Sequence, residues 1–183
     1  NAEAVADWVV LACEQLSIRP ERLGIVGVGH VGKAVADRFD CRVMLCDPPR
    51  ANAEPGFVSA SVEDVFKECD VVTIHVPLTE TTLNMVGKEL LTFLGEGVLL
   101  NASRGEVLQT EAAVNFAETG GRLLLDVFRD EPFPARQLLK AYIAEASSLD
   151  ATSESVKEAR EQLANLKNLP KRPAPARLPI SLP

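Results

Sequence analysis

The sequence is short of histidine: 183 residues contain two, His30 and His75. Imidazole, whose unperturbed pKa lies nearest neutrality, is therefore available for acid–base chemistry at only two positions. Long apolar runs are also missing. None approaches the ~18–20 residues that would span a bilayer, and no secretory signal is recognisable. The four cysteines, Cys13, Cys41, Cys46 and Cys69, form no CxxC and no metal-ligand spacing. The expectation is reduced, mostly buried thiols, a cytoplasmic setting and no metal. Basic residues are outnumbered, with Lys+Arg 19 against Asp+Glu 26 and a net charge of −7. Phosphate backbones require a cationic face, so neither nucleic acid nor membrane is expected as a partner. Residue 1 is Asn, not Met, so the sequence reads as a piece of something longer.

What is present is ordinary for a globular chain: 46% apolar and 25% charged residues. The length suits one α/β domain with a proper core. Charge divides the chain unevenly, net −10 over residues 1–134 and +3 over 135–183. Residues 1–16 carry a broad apolar helical face that includes Val5, Trp8, Val9, Ala12 and Leu16. A regular alternation follows. Strands are expected at 23–28, 42–46, 71–76, 97–100 and 122–127, and helices at 31–39, 62–68, 88–94 and 110–119. The strands are near-continuous apolar runs, as when helices cover both faces of a parallel sheet. The pattern predicts a three-layer, doubly wound parallel α/β fold. After Pro134 it weakens. Helices are expected at 137–146 and 153–166, and the five prolines of 169–183 predict a flexible tail. The division is thus 1–134 as a dinucleotide-binding domain, 135–168 as a divergent helical segment and 169–183 as a tail.

Gly27-Val28-Gly29-His30-Val31-Gly32 is a G-x-G-x-x-G that directly follows a strand and opens a helix. That context gives the motif its meaning. The first glycine permits a tight turn, the second lets backbone approach a pyrophosphate, and the third lets helix pack on strand. Asp47 closes the second strand, 20 residues after Gly27. A carboxylate there can take the ribose hydroxyls of an adenosine and would repel a 2′-phosphate, which favours NAD over NADP. Asp47 also suits a turn before Pro48-Pro49, and Arg50 is close enough to offset its charge.

Further on come His75-Val76-Pro77-Leu78-Thr79, then Asn101-Ala102-Ser103-Arg104-Gly105, then Leu125-Asp126-Val127-Phe128-Arg129-Asp130-Glu131-Pro132. In this order they resemble the D-isomer-specific 2-hydroxyacid dehydrogenases, over residues 1 to about 134. Cys46 to Ala51 and Gly56 to Ser59 resemble most the branch of that family acting on 4-phospho-D-erythronate. The resemblance implies a Rossmann-type fold, NAD as cofactor, a small 2-hydroxy acid as substrate and a homodimer formed through the first helix. It implies that Arg104 binds the α-keto carboxylate and polarises the keto oxygen. A guanidinium at a strand's C-terminal end suits that task, although a surface arginine in a glycine turn would look the same. Asp126 would hold the nicotinamide end, unless it only caps a turn. Glu131 would charge a catalytic histidine or simply be solvated. Val76, Ala102 and Ser103 would line the cofactor cleft. His75 would do so too, with a general-base role as the alternative, and His30 would at most assist phosphate binding.

The sequence departs from that family in three ways. The resemblance implies a substrate domain before the first helix, which this sequence does not contain. Only 14 residues separate Gly32 from Asp47, which predicts a first crossover helix about a turn short. The family's general-acid histidine should follow Glu131 by about twenty residues, and Ser148 stands in its place. A serine hydroxyl cannot supply a proton near pH 7 as imidazole does. Two classes of function therefore remain: an NAD-dependent dehydrogenase of which this is the cofactor-binding part, or a catalytically silent NAD-binding module of the kind found among the family's corepressor relatives. Glycerate, glyoxylate and phosphoglycerate are the alternative substrate types.

Overall fold

The computed structural model describes residues 2–127. The segments expected at 137–146, 153–166 and 169–183 lie outside the described residues, as do Glu131 and Ser148. Five parallel strands form one sheet: β1 (Arg22–Val26), β2 (Arg42–Cys46), β3 (Val71–Ile74), β4 (Val98–Asn101) and β5 (Arg122–Leu125), in the spatial order β2-β1-β3-β4-β5. The order reverses between β1 and β3, which makes that junction the switch point where a crevice opens at the strands' carboxyl ends.

Helices cover both faces, as the apolar strand runs predict. Side chains alternate along each strand, so Leu23, Ile25, Val71, Val98 and Leu100 face one core. Helices α1 (Ala2–Gln15) and α2 (His30–Ala36) cover it. Val26, Val72, Ile74 and Leu99 face the other core, beneath α4 (Val62–Glu68), α5 (Lys88–Leu94) and α6 (Thr110–Glu118). Phe66 fills its centre and is fully buried.

The first helix buries a narrower stripe than its apolar pattern suggests. Ala6, Val9 and Cys13 are buried, one and two turns apart, whereas Leu11 and Leu16 are more than half exposed. Arg38 fixes the helix to the end of α2, donating from Nη2 to Glu3 at 2.6 Å and from Nε to Asp7 at 2.9 Å. Helix α2 has only seven residues.

One helix escaped the sequence reading. Pro48–Ala53 forms α3, although Pro48-Pro49 reads as a turn. Proline is tolerated in a first turn, where its missing N–H has no intrahelical acceptor. Asp47 caps this helix by accepting from Arg50 N at 3.0 Å. The four cysteines form no disulfide. Cys13, Cys46 and Cys69 are buried, and burial pushes each thiol up to about 11.

Candidate functional site

The sheet register aligns the strands' carboxyl ends. Cys46, Val26, Ile74, Asn101 and Leu125 are successive partners across the five strands. The residues that follow them are Asp47, Gly27, His75, Ala102 and Asp126. Each strand thus delivers one sequence-predicted site residue to the same edge. At about 4.8 Å per strand the row runs roughly 19 Å from Asp47 to Asp126. Backbone bonds continue the pairing beyond the strands: Gly27 N donates to Cys46 O at 2.8 Å, His75 N to Val26 O at 2.7 Å and Asp126 N to Asn101 O at 3.0 Å.

The three loop glycines serve different needs. Gly27 has φ +91°, and a Cβ there would lie 2.6 Å from His75 O. A Cβ on Gly32 would collide with Gly27 O. Both glycines are therefore required by the protein's own packing. A Cβ on Gly29 would meet nothing within 4 Å. The position faces open space at the start of α2, whose first-turn N–H groups no intrahelical carbonyl can satisfy. Those N–H groups include that of Val31, whose side chain turns into the core beneath α2. His30 opens the helix and is exposed. This open cradle could hold a dinucleotide diphosphate.

Asp47 reaches across the sheet edge to the same loop. Its Oδ2 accepts from Val28 N at 2.8 Å and its Oδ1 from Arg50 N. Its own N donates to Ser59 Oγ at 2.8 Å. Each carboxylate oxygen keeps an acceptor position beyond the bond it already makes. The turn-former and ribose-acceptor readings of Asp47 are therefore compatible in one geometry.

The β4 end is organised by a residue that the sequence reading quoted only as part of a motif. Asn101 is buried; its Oδ1 accepts from Ser103 N at 3.0 Å and Ser103 Oγ at 2.8 Å, and its Nδ2 donates to Arg104 O at 3.0 Å. The Ser103 hydroxyl is thus turned inward, and what Ser103 offers the cleft is backbone. Arg104 is exposed at the crest of this turn, with Nη1 donating to Ser103 O at 2.7 Å. The next residues form a single 3₁₀ turn, Gly105–Val107, whose strand-like bridge between Leu108 and Val86 holds it to the loop after β3. An asparagine three residues before an arginine at a strand end was the available signal for this turn.

His75 is half-buried, and its Nε2 lies 2.9 Å from Thr73 Oγ1. Burial pushes its pKa down to about 4, so the ring is neutral at pH 7 and carries no readily donated proton. Val76 beside it packs on the core under α4 to α6. Among the described residues no group of His, Cys, Asp and Glu could hold a metal ion, and no helix is long and apolar enough to cross a membrane.

A parallel sheet with a glycine loop at its switch point and an acid at the next strand end defines a dinucleotide-binding α/β domain. The family model for the NAD-binding domain of D-isomer-specific 2-hydroxyacid dehydrogenases matches residues 5–165, and the chain belongs to that family. NAD is the cofactor of this domain type. The chain is 36% identical over 156 residues to erythronate-4-phosphate dehydrogenase of Photorhabdus laumondii, covering 76% of this chain and 42% of that protein. It is 34% identical over 149 residues to the enzyme of the same name from Porphyromonas gingivalis, covering 72% and 40%. It therefore spans about two fifths of these relatives. In fold it is similar to D-lactate dehydrogenase of Aquifex aeolicus solved with NAD and lactic acid, at 29% identity and TM-score 0.54, covering 78% of this chain and 43% of that one. It is also similar to an NADPH-dependent glyoxylate/hydroxypyruvate reductase of Sinorhizobium meliloti solved with NADP and malonate, at 26% identity and TM-score 0.60, covering 72% and 51%.

Proposed function

We propose that this chain is the cofactor-binding part of an NAD-dependent oxidoreductase acting on the CH–OH of a D-2-hydroxy acid, with 4-phospho-D-erythronate as the substrate. The observation that carries the reading is the aligned row Asp47, Gly27, His75, Ala102 and Asp126 along one sheet edge. The relatives' names support the choice of acid. When bound, NAD supplies or accepts the hydride. Asp47 would take the adenosine ribose, the loop Gly27 to Gly32 the diphosphate, and Asp126 the nicotinamide end. The residues between them, His75, Val76, Ala102 and Ser103, would wall the cleft. Arg104 would hold the substrate carboxylate through paired N–H donors and stabilise charge developing on the keto oxygen. Residues 1–134 would be the folding unit, and the first helix its dimer contact.

Reduction also needs a proton delivered to the keto oxygen. The two histidines of the chain do not provide it: His75 is neutral at pH 7, and His30 belongs to the diphosphate loop. General acid catalysis is worth about 10²–10⁴-fold. With neither histidine supplying that proton, this chain by itself should turn over 2-keto acids very poorly. The experiment has two parts. Calorimetric titration should show NAD binding, and its absence would overturn the cofactor reading. NADH oxidation with a panel of 2-keto acids, including the keto product of 4-phospho-D-erythronate, should stay far below about 1–10³ s⁻¹, the ordinary range for enzymes. A rate inside that range would refute the claim of poor turnover.

A further inference from the structure

The sequence leaves Arg50 as a difficulty for NAD selectivity, because a cation beside Asp47 could welcome a 2′-phosphate. The side chain's surroundings address that difficulty. Asp47 and Arg50 grip the same residue of the glycine loop: Val28 N donates to Asp47 Oδ2 at 2.8 Å, and Arg50 Nη1 donates to Val28 O at 2.7 Å. The guanidinium therefore stands one residue's width from the carboxylate expected to read the ribose. Unrestrained, it would offset the repulsion of a 2′-phosphate by Asp47 and offer that phosphate paired donors.

It is restrained on three sides. Nη1 is held by Val28 O, Cζ lies over the Phe57 ring 4.5 Å from its centroid, and Nε donates to Glu54 Oε2 at 2.6 Å. Glu54 follows Arg50 by four positions and closes α3 as its C-cap, its own N donating to Arg50 O at 2.8 Å, so the end of the capped helix sets their spacing. The Arg50 side chain is only 17% exposed, whereas that of Glu54 is 54% exposed. The Arg50 guanidinium in turn holds the Glu54 carboxyl below its ordinary range.

We propose that Glu54 is a positioning residue for cofactor selectivity: by engaging Arg50 Nε it keeps the guanidinium turned to the end of α3, so that its donors and much of its charge go to Glu54 rather than to a 2′-phosphate beside Asp47, and NADP is disfavoured. This rests on the NAD-binding reading above. Removing the charge at residue 54 leaves Arg50 held only by Val28 O and the Phe57 ring, with Nε and the uncompensated charge free to meet a 2′-phosphate or to compete for Asp47 with the ribose hydroxyls of NAD.

The test is calorimetric titration of the full chain with NAD and with NADP, as wild type, Glu54→Gln, Glu54→Asp and the double variant Glu54→Gln/Arg50→Ala. In Glu54→Gln the preference for NAD over NADP should fall about tenfold. Glu54→Asp should retain most of it. The double variant should recover the wild-type preference or exceed it, because the released cation is gone. An unchanged ratio in Glu54→Gln, with NAD still bound, would overturn the proposal and leave the NAD-binding reading intact. A double variant that keeps the weakened preference would also overturn it, since loss of negative charge alone would then explain the shift. A wild-type chain that binds neither nucleotide would remove both readings together.

Discussion

Replacing each of two loop glycines by alanine should separate what the fold needs from what the ligand needs. Both changes add one methyl group to the same six-residue loop. At Gly32 the new Cβ collides with Gly27 O and lies 3.2 Å from Ile25 Cγ2. Backbone must move to admit it, and overpacking of this kind costs about 1–3 kcal/mol. For a chain of this size the melting temperature should fall by about 2–12 °C. At Gly29 the Cβ meets nothing within 4 Å, and φ is −76°, a value open to any residue. The entropy lost by the unfolded chain favours Ala by about 0.4–1 kcal/mol. Poorer capping of α2 opposes that by a similar amount. Gly29→Ala should therefore melt within about 2 °C of the wild type. Its methyl group fills the cradle, however, and NAD affinity should fall at least tenfold, which is about 1.4 kcal/mol. Thermal unfolding without ligand and calorimetric titration with NAD read the two effects separately. A Gly29→Ala protein that binds NAD as the wild type does would refute the assignment of this loop. A Gly29→Ala protein that melts as low as Gly32→Ala would refute the contact argument.

Other expectations follow from the same edge of the sheet. Asn101→Ala removes two acceptor contacts to Ser103 and a donor to Arg104 O; with buried polar atoms left unmatched it should cost about 2–4 kcal/mol in chemical denaturation, and a loss below about 0.5 kcal/mol would contradict the role given to it. Burial lowers His75 from 6.5 to about 4, so on acidification the unfolded chain takes the proton first. The stabilisation is complete above about pH 6.5 and is lost as pH falls toward 4, at up to about 1.4 kcal/mol per pH unit. Unfolding free energies of wild type and His75→Gln should therefore converge between pH 6.5 and 4, and parallel curves would show that the ring is not desolvated. Asp47→Ala should weaken NAD by roughly 1.5–3 kcal/mol through loss of charge-assisted bonds, and titration showing equal NAD affinity in variant and wild type would remove Asp47 from the ribose site.

Local pattern alone located the five strands and the glycine loop. Strands buried on both faces leave continuous apolar runs, and a strand–turn–helix junction leaves its glycines in order. Boundaries shifted by a residue or two, because the same apolar residues continue into the loops at Val28 and Val76. Helix α3 was missed because two prolines read as a stop, while the cap that permits them in a first turn depends on where the Asp47 side chain points. Only the tertiary structure decided the rest. Sheet register, a long-range property, set Asp47, Gly27, His75, Ala102 and Asp126 on one edge. Folding joined Asp47 to Val28 across 19 positions and turned the Ser103 hydroxyl away from the cleft toward Asn101. The charge state of His75 and the partner of Arg50 belong to the same class. A residue's protonation and the direction of its hydrogen bonds depend on which distant groups exclude water from it, and that is settled only when the elements pack.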